Sequence, residues 1–160
     1  MRPKIGLCAV TAAIFIVGAA MARSANAAPP DDACSLLTQA QVSAALSVSV
    51  GAGSYMGTYK KTCTWKPASG ITPGAKYVTL ELKGLDSYQA GKQMGQMKNV
   101  SVTSIGGIGD DAYYLGIGPN VGLIVKKGNV SFKVAVYGSS PIEKKRAMEK
   151  TLAQEVVSKL

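Results

Sequence analysis

The stretch VGLIVKKGNVSFKVAVY, residues 121–137, decides the fold. Two runs rich in β-branched residues, 121–127 and 130–137, flank Gly128-Asn129, a dipeptide suited to the tight turn of a β-hairpin. In the second run Val130, Phe132, Val134 and Val136 recur at every other position, so that strand has an apolar face. An apolar sheet face needs a cover, and one is predicted immediately downstream. Ser140-Pro141-Ile142-Glu143 has the form of a capping box with proline at the first helical position. The helix it opens is expected to run to the C-terminus. Met148, Leu152, Val156 and Leu160 would make its inward stripe, with Ala153 and Val157 beside them. Lys144, Lys145, Arg146, Glu149, Lys150, Glu155 and Lys159 would take the remaining positions.

Upstream of the hairpin the same alternation recurs. In 77–83, Val78, Leu80 and Leu82 fall on one side and Thr79, Glu81 and Lys83 on the other, the pattern of a half-buried strand. Shorter strands are expected at 100–105 and 112–115, around a glycine-rich corner. Asp86 or Ser87 can cap a helix between these strands and the first, with Ala90, Met94 and Met97 at helical spacing, although Gly91 and Gly95 weaken it. Thr38 and Gln41 form a capping box for an earlier helix ending near Ser47, with Leu37 and Val42 placed as a hydrophobic staple. Val48 and Val50 can begin a strand. Residues 51–76 are rich in Gly, Ser, Thr, Lys and Pro and read as loop, with one short strand at Cys63-Thr64-Trp65. Short turns between strands predict an antiparallel sheet packed with helices: a single small α+β sandwich domain spanning 28–160.

The first 27 residues have the form of a Sec signal peptide. Arg2 and Lys4 precede an apolar run from Ile5 to Ala22, and Ala25-Asn26-Ala27 has the small-x-small pattern of a cleavage site after Ala27. The alternative is a retained anchor, since the run is just long enough to span a bilayer. Its Ala- and Gly-rich composition and the cleavage pattern favour removal, which leaves a periplasmic or secreted chain without a membrane span. Acylation is not expected, because Cys8 lies within the start of the apolar run. Cleavage takes Cys8 away and leaves Cys34 and Cys63, which in an oxidising compartment predict one structural disulfide. The chain holds 18 Lys+Arg against 9 Asp+Glu; losing Arg2, Lys4 and Arg23 leaves 15 against 9, a net charge of +6. All of these cations except Arg146 are lysines. Such a surface suits anionic envelope polymers, headgroups or acidic proteins. Nucleic acid is not an expected partner, because arginine supplies the bidentate contacts to bases and phosphates.

Chemistry-bearing patterns are few. There is no histidine, which removes the commonest general base and transition-metal ligand, and with both cysteines oxidised no zinc or copper site is expected. Gly107-Ile108-Gly109-Asp110-Asp111-Ala112 matches a dinucleotide-binding string, but Tyr113-Tyr114-Leu115 reads as strand where that motif needs a helix. A tight corner with positive φ is the simpler account. Asp110 and Asp111 are neighbours and would point to opposite faces of a strand, so capping or turn chemistry fits them better than a catalytic pair. No S-x-x-K string and no G-x-S-x-G elbow occurs. Catalytic, cofactor and metal residues are therefore not assigned, and no cofactor is expected. Candidate partner contacts are the lysine pairs Lys60-Lys61, Lys126-Lys127 and Lys144-Lys145, the last extended by Arg146, with Tyr55 and Tyr59 flanking the first. Ordinary solvation of loops and turns explains the same residues. Trp65, two positions after Cys63, either packs on the disulfide or lines a groove.

The strings Asp32-Ala33-Cys34-Ser35-Leu36-Leu37-Thr38, Thr62-Cys63-Thr64-Trp65 and Gly106-Gly107-Ile108-Gly109-Asp110-Asp111-Ala112-Tyr113 together resemble a family of exported bacterial domains of unknown function, many of them actinobacterial lipoproteins. The resemblance implies pairing of the two cysteines and a small antiparallel α+β sandwich of PsbP-like form. It implies no catalytic residues. The chain departs from the lipoprotein members in lacking the acylated cysteine. The expected function is that of an exported non-enzymatic binding domain for a cell-envelope component, a lipid or a partner protein, held on the sheet face or the tyrosine- and lysine-bearing loops. The alternative is an inhibitor or accessory subunit of an extracytoplasmic enzyme, and a hydrolase with an unrecognised site comes last.

Overall fold

The computed structural model describes residues 29–160, so the expected signal peptide and Cys8 lie outside the described residues. Seven strands form one sheet: β1 (Ser54–Tyr55), β2 (Thr62–Trp65), β3 (Tyr77–Lys83), β4 (Val100–Ile105), β5 (Asp111–Ile117), β6 (Asn120–Lys127) and β7 (Val130–Tyr137). Their spatial order is β1-β2-β3-β7-β6-β5-β4, with every neighbouring pair antiparallel. Three helices complete the α+β domain: α1 (Gln39–Leu46), α2 (Leu85–Gln93) and α3 (Ile142–Val157). Among the described residues no helix is long and apolar enough to cross a membrane.

The decisive hairpin forms as its sequence requires. Lys127 faces Val130 across the turn, and Gly128 takes φ +57, the left-handed region open to glycine. β7 is central rather than half-buried. Phe132, Val134 and Val136 face one layer of helices, while Ser131 and Ala135 on the opposite side are also buried. α3 lies on the first side, against β6 and β7, and α1 packs on α3. The main core gathers there from Val78, Leu80, Leu123, Val125, Phe132, Leu152 and Val156. α2 crosses the other side and buries Tyr88 against Tyr113 and Ile124. The sheet is thus covered on both faces, but α2 reaches only part of its face.

Thr38 caps α1 through the expected reciprocal box with Gln41, and Leu37 and Val42 are both buried. The other caps differ from expectation. Pro141, not Ser140, is the N-cap of α3, because its ψ of 150° keeps it extended; its carbonyl accepts the first helical bond from the Lys145 N–H at 3.0 Å. α2 starts at Leu85 directly after Gly84, which puts Asp86 and Ser87 inside the first turn. Asp86 there complements the helix dipole instead of capping. The inward face of α2 is Tyr88 and Gly91, whereas Ala90 and Met97 are exposed. α3 ends at Val157, and its buried positions include Lys145 and Glu149, both expected on the solvent side. Val50 makes only an isolated bridge to Pro67 and begins no strand.

Candidate functional site

The residues proposed from sequence as partner contacts separate into bound and free groups. The Tyr55 hydroxyl donates to the Asp32 carboxylate at 2.8 Å, which holds that carboxyl below its ordinary range, and Lys60 stands over the Tyr55 ring at 5.9 Å. The main chain beside them is also pinned: Ala33 N–H donates to Lys60 O at 2.8 Å and Leu82 N–H to Lys61 O at 2.7 Å. Tyr59 is free, with 80 % of its surface exposed. Trp65 is buried in the core, so it packs inside and is withdrawn from any partner. Gly53 lies on it, where a Cβ would come within 2.7 Å of Cys63 Sγ and 2.9 Å of the indole. The Cys34–Cys63 disulfide is formed.

Strand register brings Lys60-Lys61 and Lys126-Lys127 to one end of the sheet, since Lys61 meets Leu82, Leu82 faces Phe132 and Phe132 faces Val125. The third pair, Lys144-Lys145, lies on α3, and Lys145 is buried there, which withdraws it from a partner. Acids interrupt this cationic end. Lys127 pairs with Asp110 at 3.2 Å, and Lys83 pairs with Glu81 at 2.9 Å. Asp110 also accepts the Gly128 N–H at 2.6 Å, and this bond before the lysine keeps its carboxyl below the usual range. Asp111 pairs with Lys92 of α2 at 2.5 Å, which lowers it likewise. The two aspartates therefore clamp a turn and a helix separately. Gly109 bends the chain into this corner with φ +59, and β5 follows it, as expected for a corner rather than a nucleotide loop.

A group of shallow clefts lies on the α2 side, over the part of the sheet that α2 leaves open. Tyr77 of β3 and Tyr137 of β7 are cross-strand partners, and their rings stack with centroids 4.6 Å apart and planes 9° from parallel. Three clefts meet at Tyr137. One of about 490 Å³ is lined by Met56, Thr62, Thr79, Glu81 and Lys133. A notch of about 50 Å³ lies beside Leu115, Ile117 and Lys133. The third, of about 590 Å³, runs along Ile71, Pro73 and Tyr77. Exposed Met56, Ile71 and Ile117 stand around the tyrosine pair. Lys133 lies across Gly122, where a Cβ would come within 2.6 Å of its Cε, and among the described residues it makes no ion pair.

None of Tyr77, Tyr137 and Lys133 was a candidate from sequence. Alternation places all three on the outward face of their strands, but only the β3–β7 pairing makes them one site. A fourth cleft, about 460 Å³, sits at the cationic end beside Lys61, Lys83 and Asn129. No protein-family profile, characterised protein or solved structure matches the chain.

Proposed function

We propose that this chain is an exported, non-enzymatic binding domain whose ligand, a component of the cell envelope, rests on the open sheet face. The observation that carries this reading is the convergence of three clefts on the stacked Tyr137, ringed by exposed Met56, Ile71 and Ile117. Concave surfaces of this volume with apolar walls and a few polar groups are where small ligands bind. The signal-like N-terminus and the disulfide support export to the periplasm or beyond. The resemblance of the CSLLT, CTW and GIGDDAY strings to a family of exported bacterial domains fits the same destination. The use of Asp110 and Asp111 in structural ion pairs supports binding over catalysis.

Tyr59 favours a second reading. Exposed beside Lys60 and Lys61, it suits a protein partner and hence an inhibitor or accessory subunit. Native mass spectrometry of the protein recovered from its own envelope separates the two. A retained small-molecule adduct, lost in Tyr137→Ala, is the expected result. A stoichiometric protein complex sensitive to Tyr59→Ala would replace the first reading with the second.

A further inference from the structure

We infer that the open sheet face takes an acidic saccharide, a sugar bearing a carboxylate or phosphate within an envelope glycan, seated on Tyr137 with its anionic group at Lys133. This rests on the binding reading above and names its ligand class.

Four features point to that chemistry. The clefts are shallow and partly polar, walled by Thr62, Thr79, Glu81 and Lys133 as well as Met56 and Tyr137. An acyl chain needs an enclosed apolar channel to leave water, and these walls offer hydroxyls and charges instead. A pyranose has the opposite needs: an apolar C–H face to lay on an aromatic or thioether side chain, and a rim of hydroxyls to satisfy. The stack on Tyr77 fixes the Tyr137 ring before any ligand arrives, so little rotamer entropy is lost on binding.

The charge of the site is also asymmetric. Glu81 and Lys133 are direct cross-strand neighbours, yet Glu81 is taken by Lys83 at 2.9 Å. That leaves the Lys133 ammonium unpaired among the described residues, on the wall shared by the 490 Å³ cleft and the notch. An unpaired cation between two clefts attracts an anionic ligand, and a charge-assisted hydrogen bond orients it. A peptide is less suited. β3, which carries Tyr77, Thr79 and Glu81 on this face, is paired on both sides and offers no free edge for main-chain recognition.

The test is a titration of the ¹⁵N-labelled exported protein with a glucuronate-containing tetrasaccharide, a neutral tetrasaccharide and its 6-phospho derivative. Amide shifts at Thr62, Thr79, Lys133 and Tyr137 are expected, with at least one acidic sugar bound about tenfold more tightly than the neutral one. Comparing the glucuronate and phosphate arms identifies the anion. Lys133→Gln should erase the preference for acid while its spectrum stays folded, and Tyr137→Ala should abolish binding of every sugar. Equal affinity for neutral and acidic sugars, or an unchanged preference in Lys133→Gln, overturns the inference. A parallel titration with whole envelope extract distinguishes the two failures. Shifts at this face with extract but none with the acidic sugars reject the ligand class and leave the binding reading. No shifts with either reject both.

Discussion

Glu149 shows how one residue can carry a pH dependence for the whole domain. The β6–β7 ladder stops at Leu123 and Val134, and two residues further along β7 the Val136 N–H donates to Glu149 Oε1 at 2.9 Å. An acceptor from α3 thus serves a buried strand donor, which is why a charged residue turns inward. Its Oε2 has no protein partner. Burial pushes the carboxyl up to about 8, and the Val136 N–H with the charges of Lys133, Lys145 and Arg146 offsets only part of that rise. Below the ordinary glutamate range both folded and unfolded chains hold this proton. Between there and about pH 8 the unfolded chain releases it while the folded chain keeps it, so stability falls as pH rises. The slope from this group is at most about 1.4 kcal/mol per pH unit. Glu149→Gln keeps the acceptor and removes the titration. Urea midpoints between pH 5 and 9 should therefore decline more steeply for the parent chain than for the variant, and parallel curves would sink the assignment. Charge alone put Glu149 on the solvent side in the sequence, because nothing there shows that a strand donor needs serving.

At the scale of elements, α2 departs most from its sequence pattern, and Gly91 explains why. A Gly→Ala change in an exposed helix gains up to about 1 kcal/mol. At Gly91 a Cβ would press on the Tyr113 hydroxyl, which is fully buried and donates to Tyr88 O at 2.8 Å. Overpacking of this kind costs about 1–3 kcal/mol, enough to reverse the sign. Gly91→Ala should lower Tm, and adding Tyr113→Phe should recover part of the loss by clearing the hydroxyl. A higher Tm for the single variant would contradict this packing. Helical spacing alone chose Ala90, Met94 and Met97 as the inward face, because a weakly amphipathic helix has its rotation set by its partner. The strands were more legible: 77–83 and 130–137 are reproduced to the residue, since a period of two leaves only a choice of face. What alternation could not supply was the order of strands. β3 lies beside β7, more than fifty residues away in the chain, and only that neighbourhood brings Tyr77 to Tyr137.

Across the whole molecule, the disulfide divides a rigid centre from a tethered flank. Cys34 sits in a short 3₁₀ turn held by Asp32, and Cys63 sits in β2, 29 positions further along the chain. The segment they enclose contains α1, β1 and the connection bearing Tyr59, Lys60 and Lys61. Closing a loop of this size contributes about 3–4 kcal/mol in the chain-entropy model. That is a large share of the about 5–15 kcal/mol by which a domain is normally stable. The five strands from β3 to β4 and the helix α3 do not lie within the loop, so the loss should be uneven. In Cys34→Ser/Cys63→Ser, hydrogen exchange is expected to accelerate first at Thr62–Trp65 and Ser54–Tyr55, while Val130–Tyr137 stays protected until global unfolding. The lone Trp65, buried over the bridge, should report the same opening by a fluorescence change at lower urea than the main transition. Uniform loss of protection in a single transition would mean that the flank and the centre fold as one unit. The consequence reaches the binding face, because Met56 and Thr62 wall the 490 Å³ cleft and both belong to the tethered flank. A chain kept reduced should lose that wall before it loses its sheet, so full affinity is expected only where the bridge can form.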